Sequence, residues 1–306
     1  MDIFVMVDQY PAKGDTVLGK KIEIQPGGKG ANQAVACANF GNNVHLIGSV
    51  GNDSYGDQLL EKLSKLHVGT QSIKRSMHHT TGTTVITLDD NAENTIISIK
   101  GANDDLDIDH VRNFKHKIEK CKLLLAQMEI PEAAIIEAMK VAKKSGTFIL
   151  LDPAPADAIS EHVLKYADLI TPNLQETKHI TGIAVTDYHS AFSAAQMIEK
   201  KLGIGNSIIK MGEKGSLVYQ KGNATFIEAI KVKAIDTVGA GDCYAGAIAS
   251  GLVNGNDLVS CAKFATVASA LKVTKFGAQE GIPSMKEISD FSKEMGLTNY
   301  LLDDIS

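Results

Sequence analysis

A short glycine-containing stretch with two aspartates is the part of the sequence best suited to chemistry. It runs Asp236-Thr237-Val238-Gly239-Ala240-Gly241-Asp242 and leads into small residues that predict a helix up to Leu252. The first N–H groups of a helix lack internal partners and carry partial positive charge, which favours an anion. Because a carboxylate repels phosphate, Asp242 here suggests a base that takes a proton from a hydroxyl beside a phosphoryl group. A Gly-rich turn with an aspartate capping a core helix explains this stretch equally well.

A second glycine turn precedes another predicted helix near the N-terminus. Its residues are Gly27-Gly28-Lys29-Gly30-Ala31-Asn32. The glycines permit close approach of the backbone to a polyol, and Lys29 and Asn32 supply hydrogen-bond donors and an acceptor. The alternative interpretation is a helix entry with a solvated lysine.

Composition and absent motifs exclude several classes of protein. The net charge of -5 leaves no basic surface for nucleic acid, and no apolar run is long enough for a membrane span. The four cysteines are widely spread without a C-x-x-C pair, which is typical of a reduced, cytoplasmic protein. No G-x-x-x-x-G-K-[ST] motif occurs. A dinucleotide fingerprint would need a glycine where Tyr244 stands, which disfavours a nucleotide-dependent dehydrogenase.

The elements that must position these residues follow from the apolar pattern. From Leu123 onward, apolar runs alternate with helical patterns, which predicts a parallel, doubly wound sheet. The predicted strands are 123–128, 148–151, 168–171 and 207–211, and the predicted helices are 132–144, 174–181 and 190–201. Further strands are predicted at 44–50 and, before the aspartate stretch, at 230–235.

Two β-rich segments do not fit this alternation. Residues 3–25 and 83–100 are expected to pair into a small separate sheet, with a hairpin turn at 89–94. Such a sheet would form a lid over the active site, made of about residues 2–26 and 82–101. The exposed edges of a small sheet are often covered by a partner, so we expect a homodimer through the lid.

These stretches carry a resemblance to a known family. Residues 27–36 (Gly-Gly-Lys-Gly-Ala-Asn-Gln-Ala-Val-Ala) and 236–242 resemble the two long motifs of the PfkB family of sugar kinases, in the form found in its ribokinase branch. Five shorter matches occur in the family's order and extend the resemblance over almost the whole chain: Gln127-Met128-Glu129, Asp152-Pro153-Ala154-Pro155-Ala156, Thr171-Pro172-Asn173-Leu174-Gln175-Glu176, Met211-Gly212-Glu213-Lys214-Gly215 and Lys275-Phe276-Gly277-Ala278-Gln279.

The resemblance implies both a fold and an activity. The fold would be a single α/β kinase domain over residues 1–306: a ribokinase-like three-layer sandwich with a mostly parallel central sheet, flanking helices and a small β-sheet lid. The activity would be transfer of the γ-phosphate of ATP to the 5-hydroxyl of D-ribose. A kinase for another sugar or a nucleoside, such as deoxyribose, another pentose or fructose, stays open. So does a catalytically impaired sugar-binding protein.

The resemblance also implies roles for individual residues. Asp242 would be the base, and the N–H groups of Gly239, Ala240 and Gly241 would hold the transferring phosphoryl group. The sugar-binding residues would be Asp2, Gly28, Lys29, Asn32, Glu129 and Asp242. The ATP-binding residues would be Asn173, Glu176, Lys210, Gly212, Gly215 and Gly241, with Glu176 holding Mg²⁺ through water. Asp236 and the carbonyl groups of Val238 and Gly277 would bind K⁺, since oxygen ligands suit hard cations.

Some of these residues have simple structural alternatives. Asn173 fits a helix N-cap, with Glu176 as the acid of a capping box. Glu129 fits a surface charge, and Asp236 fits a brace for its own loop.

The sequence also departs from the family. The family begins with an apolar strand, whereas this chain starts at Met1-Asp2, so we expect the first core strand to be missing before Met1. Lys210 replaces a threonine near the nucleotide, Asp152 replaces an asparagine, and Gly281 replaces a serine near the potassium loop.

Overall fold

The structure, a computed structural model, describes residues 1–89 and 94–302. The strands within these ranges are β1 (Asp2–Val7), β2 (Gly19–Gln25), β3 (Val44–His45), β4 (Gly48–Gly51), β5 (Val68–Gly69), β6 (Ile73–Ser76), β7 (Thr83–Leu88), β8 (Asn94–Ile99), β9 (Leu123–Ala126), β10 (Phe148–Leu151), β11 (Leu169–Ile170), β12 (Asn206–Lys210), β13 (Ser216–Gln220) and β14 (Asn223–Ile227). The helices are α1 (Lys29–Asn39), α2 (Ser54–Lys65), α3 (Ile108–Asn113), α4 (Lys115–Lys120), α5 (Glu132–Ser145), α6 (Glu161–Leu164), α7 (Leu174–Thr181), α8 (Tyr188–Leu202), α9 (Ala240–Val253), α10 (Leu258–Val273) and α11 (Met285–Glu294).

A six-stranded sheet forms the centre of the molecule, in the order β14-β13-β12-β11-β10-β9. Strands β9 to β12 pair in parallel, and the β13–β14 hairpin adds two antiparallel strands at one edge. Helices connect the parallel strands, as is usual for crossover connections between parallel neighbours. The predicted α/β class with a mostly parallel central sheet is confirmed.

Alternation along β10 explains how the sheet is covered on both faces. Leu150 packs into a core cluster with residues of α1, α9 and α10, including Phe264. Its neighbours Ile149 and Leu151 point the other way and pack with residues of α5 and α8, including Met139. Because successive strand side chains face opposite sides, one apolar run supplies two cores. The result is the predicted three-layer sandwich.

The two β-rich segments near the N-terminus pair into a second, four-stranded sheet, here called the small sheet, in the order β2-β1-β7-β8. Strands β1 and β7 are parallel, and the other two pairings are antiparallel. On its inner face, Asp2 and Phe4 are buried, and the ring of Phe4 lies 6.4 Å from that of Phe276. The predicted turn between β7 and β8 falls largely on residues 90–93, outside the described residues.

Two predicted strands are wrong. Residues 44–50 form the two short strands β3 and β4, because their partners β5 and β6 are themselves separated by a turn. Residues 230–235 form no strand. There the N–H groups of Ile235 and Asp236 both donate to the carbonyl oxygen of Val273, so this segment is tied to the end of α10 instead of a sheet.

An apolar cavity of about 690 Å³ lies beside β9, between that strand and β3 and β4. In the described part of the chain, β9 is the last strand on this side of the central sheet. The expected additional core strand stays a prediction. In the ranges that the structure covers, we find no helix with both the length and the apolar character needed to cross a membrane.

Candidate active site

Asp242 lies in the first turn of α9, and a glycine fixes how that helix begins. Gly239 is the N-cap residue with φ of 78°, and a Cβ there would lie 2.9 Å from the carbonyl oxygen of Ala278. The N–H of Ala240 donates to the carbonyl oxygen of Thr237 at 3.2 Å, so this N–H group is already partly engaged within the turn. Helix geometry leaves the N–H of Gly241 without an intrahelical acceptor. The turn therefore presents donors and one buried carboxylate together.

Two neighbouring side chains of α1 hold that carboxylate. Asn32 Nδ2 donates to Asp242 Oδ2 at 2.9 Å, and Gln33 Nε2 donates to Asp242 Oδ1 at 3.0 Å. Gln279 Nε2 in turn donates to Asn32 Oδ1 at 3.1 Å, which fixes the orientation of that amide. All three side chains are buried, so the carboxylate has a defined position before any substrate arrives.

Burial raises the pKa of Asp242 above its usual range, against the opposing effects of Lys29 and the two amides. Burial also raises the pKa of Glu129, and the charge and backbone N–H group of Lys29 oppose that effect. For Lys29, burial acts to lower the pKa, but the nearby carboxylates, led by Asp242 and Glu129, leave it raised. Three ionisable groups from distant parts of the sequence, one buried and two half-buried, thus interact in one site, as functional sites often show.

Close contacts of the Gly27–Lys29 turn bring Glu129, and Asp2 of the small sheet, to this site. The backbone N–H of Lys29 donates to Glu129 Oε2 at 2.9 Å. A Cβ on Gly27 would lie 2.0 Å from Asp2 Oδ2, so only glycine leaves room for the Asp2 carboxylate. Burial raises the pKa of Asp2, and the charge of Asp242 adds to that effect. Asp2, Lys29 and Glu129 therefore surround the same space as Asp242.

A cavity of about 480 Å³ opens next to Asp242. Its lining residues are Lys29, Asp152, Ala154, Asn173, Leu174, Gln175, Glu176, Lys210, Gly212, Gly239, Gly241 and Asp242. Lys210 lies at the end of β12, and its Nζ contacts Asp152 Oδ1 at 2.7 Å. The cavity thus joins the N-terminus of α9 to that of α7 and to the carboxyl ends of central strands, where α/β sheets commonly bind ligands.

The comparisons with known proteins agree with this geometry. A model of the pfkB family of carbohydrate kinases matches residues 1–285. The chain belongs to the pfkB carbohydrate kinase family. It is 36% identical to a ribokinase of Haemophilus influenzae over 290 residues, covering 95% of this chain and 94% of that protein. It is 32% identical to a deoxyribokinase of Salmonella typhi over 294 residues, covering 95% of each.

A solved structure is similar over the same extent. The structure of Arabidopsis thaliana ribokinase complexed with ribose and ATP has a TM-score of 0.87, with 29% identity and 95% coverage of both chains. This chain is therefore a carbohydrate kinase, a phosphotransferase with an alcohol acceptor.

Most of the residues that the sequence analysis singled out for this pfkB kinase come together. Asp2, Lys29, Asn32 and Glu129 surround Asp242 on one side, as described above. Asn173, Glu176, Lys210 and Gly212 line the cavity on its other side. Gly28, at the N-cap of α1 with φ of 89°, lines the adjoining large cavity.

One glycine lies apart from this cluster. Gly215 is not among the described residues that line the smaller cavity. A Cβ there would lie 2.0 Å from the carbonyl oxygen of Ile227, so only a glycine at this position lets the end of β14 pack so closely.

Asn173 and Glu176 do form the capping box that was the structural alternative. Asn173 Oδ1 accepts from the N–H of Glu176 at 2.9 Å, and Glu176 Oε2 accepts from the N–H of Asn173 at 2.8 Å. Burial raises the pKa of Glu176, and the charge of Lys210 opposes this. Glu176 Oε1 also accepts from Asn173 Nδ2 at 2.9 Å. Each carboxylate oxygen can still accept a further bond, so capping and ligand binding are compatible.

Gln33 and Asp152 are residues that the sequence analysis left out of the site. Gln33 Nε2 donates to Asp152 Oδ2 at 2.9 Å as well as to Asp242, and Thr171 Oγ1 donates to Asp152 Oδ1 at 3.1 Å. Gln33 follows Asn32 in the first long motif, and Asp152 opens a shorter one, so both stood inside recognised stretches. The hydrogen bond between Gln33 and Asp152 spans 119 positions, and the sequence alone does not reveal it.

Proposed function

We propose that this chain is an ATP-dependent kinase that phosphorylates the 5-hydroxyl of D-ribose. One observation carries the proposal: Asp242 is held by two amides at the start of α9, beside the charged groups of Asp2, Lys29 and Glu129. A base next to helix N–H groups suits phosphoryl transfer, and paired acids and amides suit a polyol. The similarity to ribokinases over 95% of the chain points to the same substrate.

The reaction follows from these positions. Asp242 accepts the proton of the sugar hydroxyl as its oxygen attacks the γ-phosphorus. The bond from that phosphorus to the bridging oxygen breaks, and ADP leaves. The N–H groups at Gly239 and Gly241, with a smaller share from Ala240, stabilise the charge on the transferring group. Asn32 and Gln33 keep the carboxylate aimed at the hydroxyl, which lowers the entropy cost of the step.

The cavity beside Asp242 is the proposed ATP phosphate site. Lys210 supplies a positive charge there, and Gly212, with φ of 60°, lines it with backbone. Asn173 and Glu176 lie at the N-terminus of α7 and would hold Mg²⁺ through water, since Mg²⁺ keeps several waters and takes few protein carboxylates. Bound Mg²⁺ would supply charge neutralisation to the phosphates. Gly215 would act here only indirectly, by letting β14 pack closely beside the turn that contains Gly212.

Deoxyribose is the second candidate substrate, because the similarity to a deoxyribokinase extends over 95% of the chain at 32% identity. The two sugars differ in one hydroxyl. A site built to bond that hydroxyl leaves buried polar groups unpaired when it is absent, which discriminates strongly. Relative rates on the two sugars therefore separate these candidates.

We also propose that the small sheet is a lid and that two copies meet through it. Its outer face carries four exposed isoleucines that share one side by register: Ile22, Ile24, Ile97 and Ile99. A contiguous apolar face of this kind favours a partner, and a second copy would offer the same face. The cytoplasm is the proposed location, because Cys37, Cys121, Cys243 and Cys261 are free thiols.

A coupled assay of ADP release with ribose, deoxyribose, fructose and adenosine tests the proposed function. We expect the highest kcat/KM with ribose and little ADP release without sugar. Preference for adenosine or fructose would overturn the assignment. Preference for deoxyribose would favour the second candidate.

A further inference from the structure

A buried lysine lies where the family resemblance implies a potassium ion. Lys272, in the last turn of α10, is 0% exposed. Its Nζ donates to the carbonyl oxygen of Asp236 at 3.0 Å and lies 3.7 Å from Asp236 Oδ2. Asp236 is the expected carboxylate ligand of the ion, together with carbonyl groups of Val238 and Gly277. An ammonium group therefore already faces that carboxylate.

A glycine makes room for this lysine. The position that a Cβ on Gly281 would take lies 3.1 Å from Lys272 Cε. The same position lies 2.6 Å from the carbonyl oxygen of Gly277 and 3.2 Å from that of Lys275. The lysine stem thus runs beside the carbonyl groups of the loop after α10. The serine that the family resemblance places at position 281 would crowd the carbonyl oxygen of Gly277 and also the end of the Lys272 stem.

Charge gives a second reason why a potassium ion does not fit here. The Lys272 ammonium is buried and lies 3.7 Å from Asp236 Oδ2, the oxygen that a potassium ion would also need. Two cations facing one largely buried carboxylate would repel each other strongly, because the surroundings screen charge poorly. The carboxylate that would bind the ion therefore already has a covalently attached cation beside it, the Lys272 ammonium.

The ion pair holds together the two loops that shape the start of α9. Asp236 Oδ1 accepts from the N–H of Val238, and Asp236 Oδ2 accepts from the N–H of Gly277, each at 2.9 Å. Gly239, the N-cap of α9, follows directly. A cation beside Asp236 thus stabilises the turn that presents Asp242.

We infer that the Lys272 ammonium takes the place of a monovalent cation, so that the kinase needs no potassium. Lys272 is a positioning residue, because it acts through Asp236 and the turn. The activity measurements rest on the proposed function, whereas the thermal measurements below do not.

Wild-type protein gives the first test. Its sugar phosphorylation is measured in potassium, sodium and choline chloride, and its melting temperature in the same salts. We expect kcat to change by less than about twofold, because ionic strength is fixed and only the cation differs. Stimulation by potassium alone, or a higher melting temperature in potassium alone, would overturn the inference. A protein that phosphorylates no sugar would count against the proposed function, while its melting temperatures still decide this one.

The variant Lys272→Ala gives the second test, with Lys275→Ala, three residues further along the chain, as a matched loss of a lysine. We expect Lys272→Ala to lose about tenfold or more in kcat without potassium, the order expected for a lost charged hydrogen bond. Potassium or ammonium should restore part of that activity and raise its melting temperature, and Lys275→Ala should respond to neither. A folded Lys272→Ala that ignores both cations would contradict the inference. If that variant does not fold, the wild-type result decides.

Discussion

Lys210 Nζ lies 2.7 Å from Asp152 Oδ1 inside the cavity that borders Asp242, and both side chains are largely buried. Asp152 is also bonded by Gln33 and Thr171, so the carboxylate holds its place while the lysine is the movable partner. The family resemblance implies a threonine in place of Lys210 and an asparagine in place of Asp152. Asp152 thus keeps the Lys210 ammonium beside the cavity, where it can form a charged hydrogen bond with a phosphate group when the nucleotide binds.

This pair predicts how nucleotide affinity responds to substitution. Lys210→Met should raise the KM for ATP by about tenfold or more, since a hydrogen bond to a charged group contributes about 1.5–3 kcal/mol. If Lys210 only neutralised Asp152, adding Asp152→Asn to Lys210→Met would restore the affinity for nucleotide. If Lys210 binds phosphate, the double variant keeps its low affinity for nucleotide, which is the result we expect. Calorimetric titration with ADP and AMP measures this, and Lys178→Met, on the exposed side of α7, is the control.

The raised pKa of Asp242 predicts the acid limb of the pH profile. The base works only when it is deprotonated, and its pKa lies above the ordinary value of 3.8. Activity should therefore fall, as pH decreases, at a higher pH than an ordinary aspartate would give. Gln33→Leu removes a donor that lowers this pKa, so its limb should move further toward neutral pH. A profile of kcat that stays flat down to about pH 4 would refute the assignment.

Gly27 predicts a selective defect in sugar binding. A Cβ there would lie 2.0 Å from Asp2 Oδ2, so Gly27→Ala must displace that carboxylate. We expect the KM for ribose to rise by about tenfold or more, with the KM for ATP unchanged, as for a lost polar contact. Gly48→Ala is the matched control, because a Cβ there meets nothing within 4 Å. Equal KM values for ribose in the two variants would remove Asp2 from the sugar site.

The small sheet predicts a difference between two adjacent isoleucines. Ile97 and Ile96 are 64% and 60% exposed but lie on opposite faces of β8. Ile97→Lys places a charge in the proposed contact and should give a monomer by light scattering. Ile96→Lys should leave the dimer intact. Identical masses for the two variants would show that the outer face is not the contact.

The sequence predicted best where local chemistry decides the structure. The turn at Gly239 was expected, and the capping pair Asn173 and Glu176 was the structural alternative considered, because glycine and cap residues act on their immediate neighbours. Helix α10 was not assigned from the sequence. It is buried on most sides, as at Phe264 and Val267, so it shows no polar stripe of helical period.

Long-range contacts explain the other differences. Residues 230–235 alternate like a strand, yet a strand also needs a neighbour, and this segment is bonded to Val273 instead. The β13–β14 hairpin could have been found from its two-residue turn, where Lys221 and Gly222 both take positive φ. The link from Gln33 to Asp152 and the fit of Lys272 beside Gly281 depend on the folded chain, which no spacing reports.

Asp242 as the base is the central claim, and Asp242→Asn tests it most directly. The substitution keeps the shape of the side chain and removes its ability to accept the proton. Ribose binding, followed by calorimetry, should persist because Lys29, Asn32 and Glu129 remain. Asp290→Asn, an exposed aspartate on α11, is the control for loss of one negative charge.

The decisive measurement is kcat of Asp242→Asn with ribose and ATP. A fall of about 10²-fold or more, with ribose still bound, is the predicted result for a lost general base. A variant that binds ribose and turns over at the wild-type rate would contradict the claim that Asp242 takes the proton.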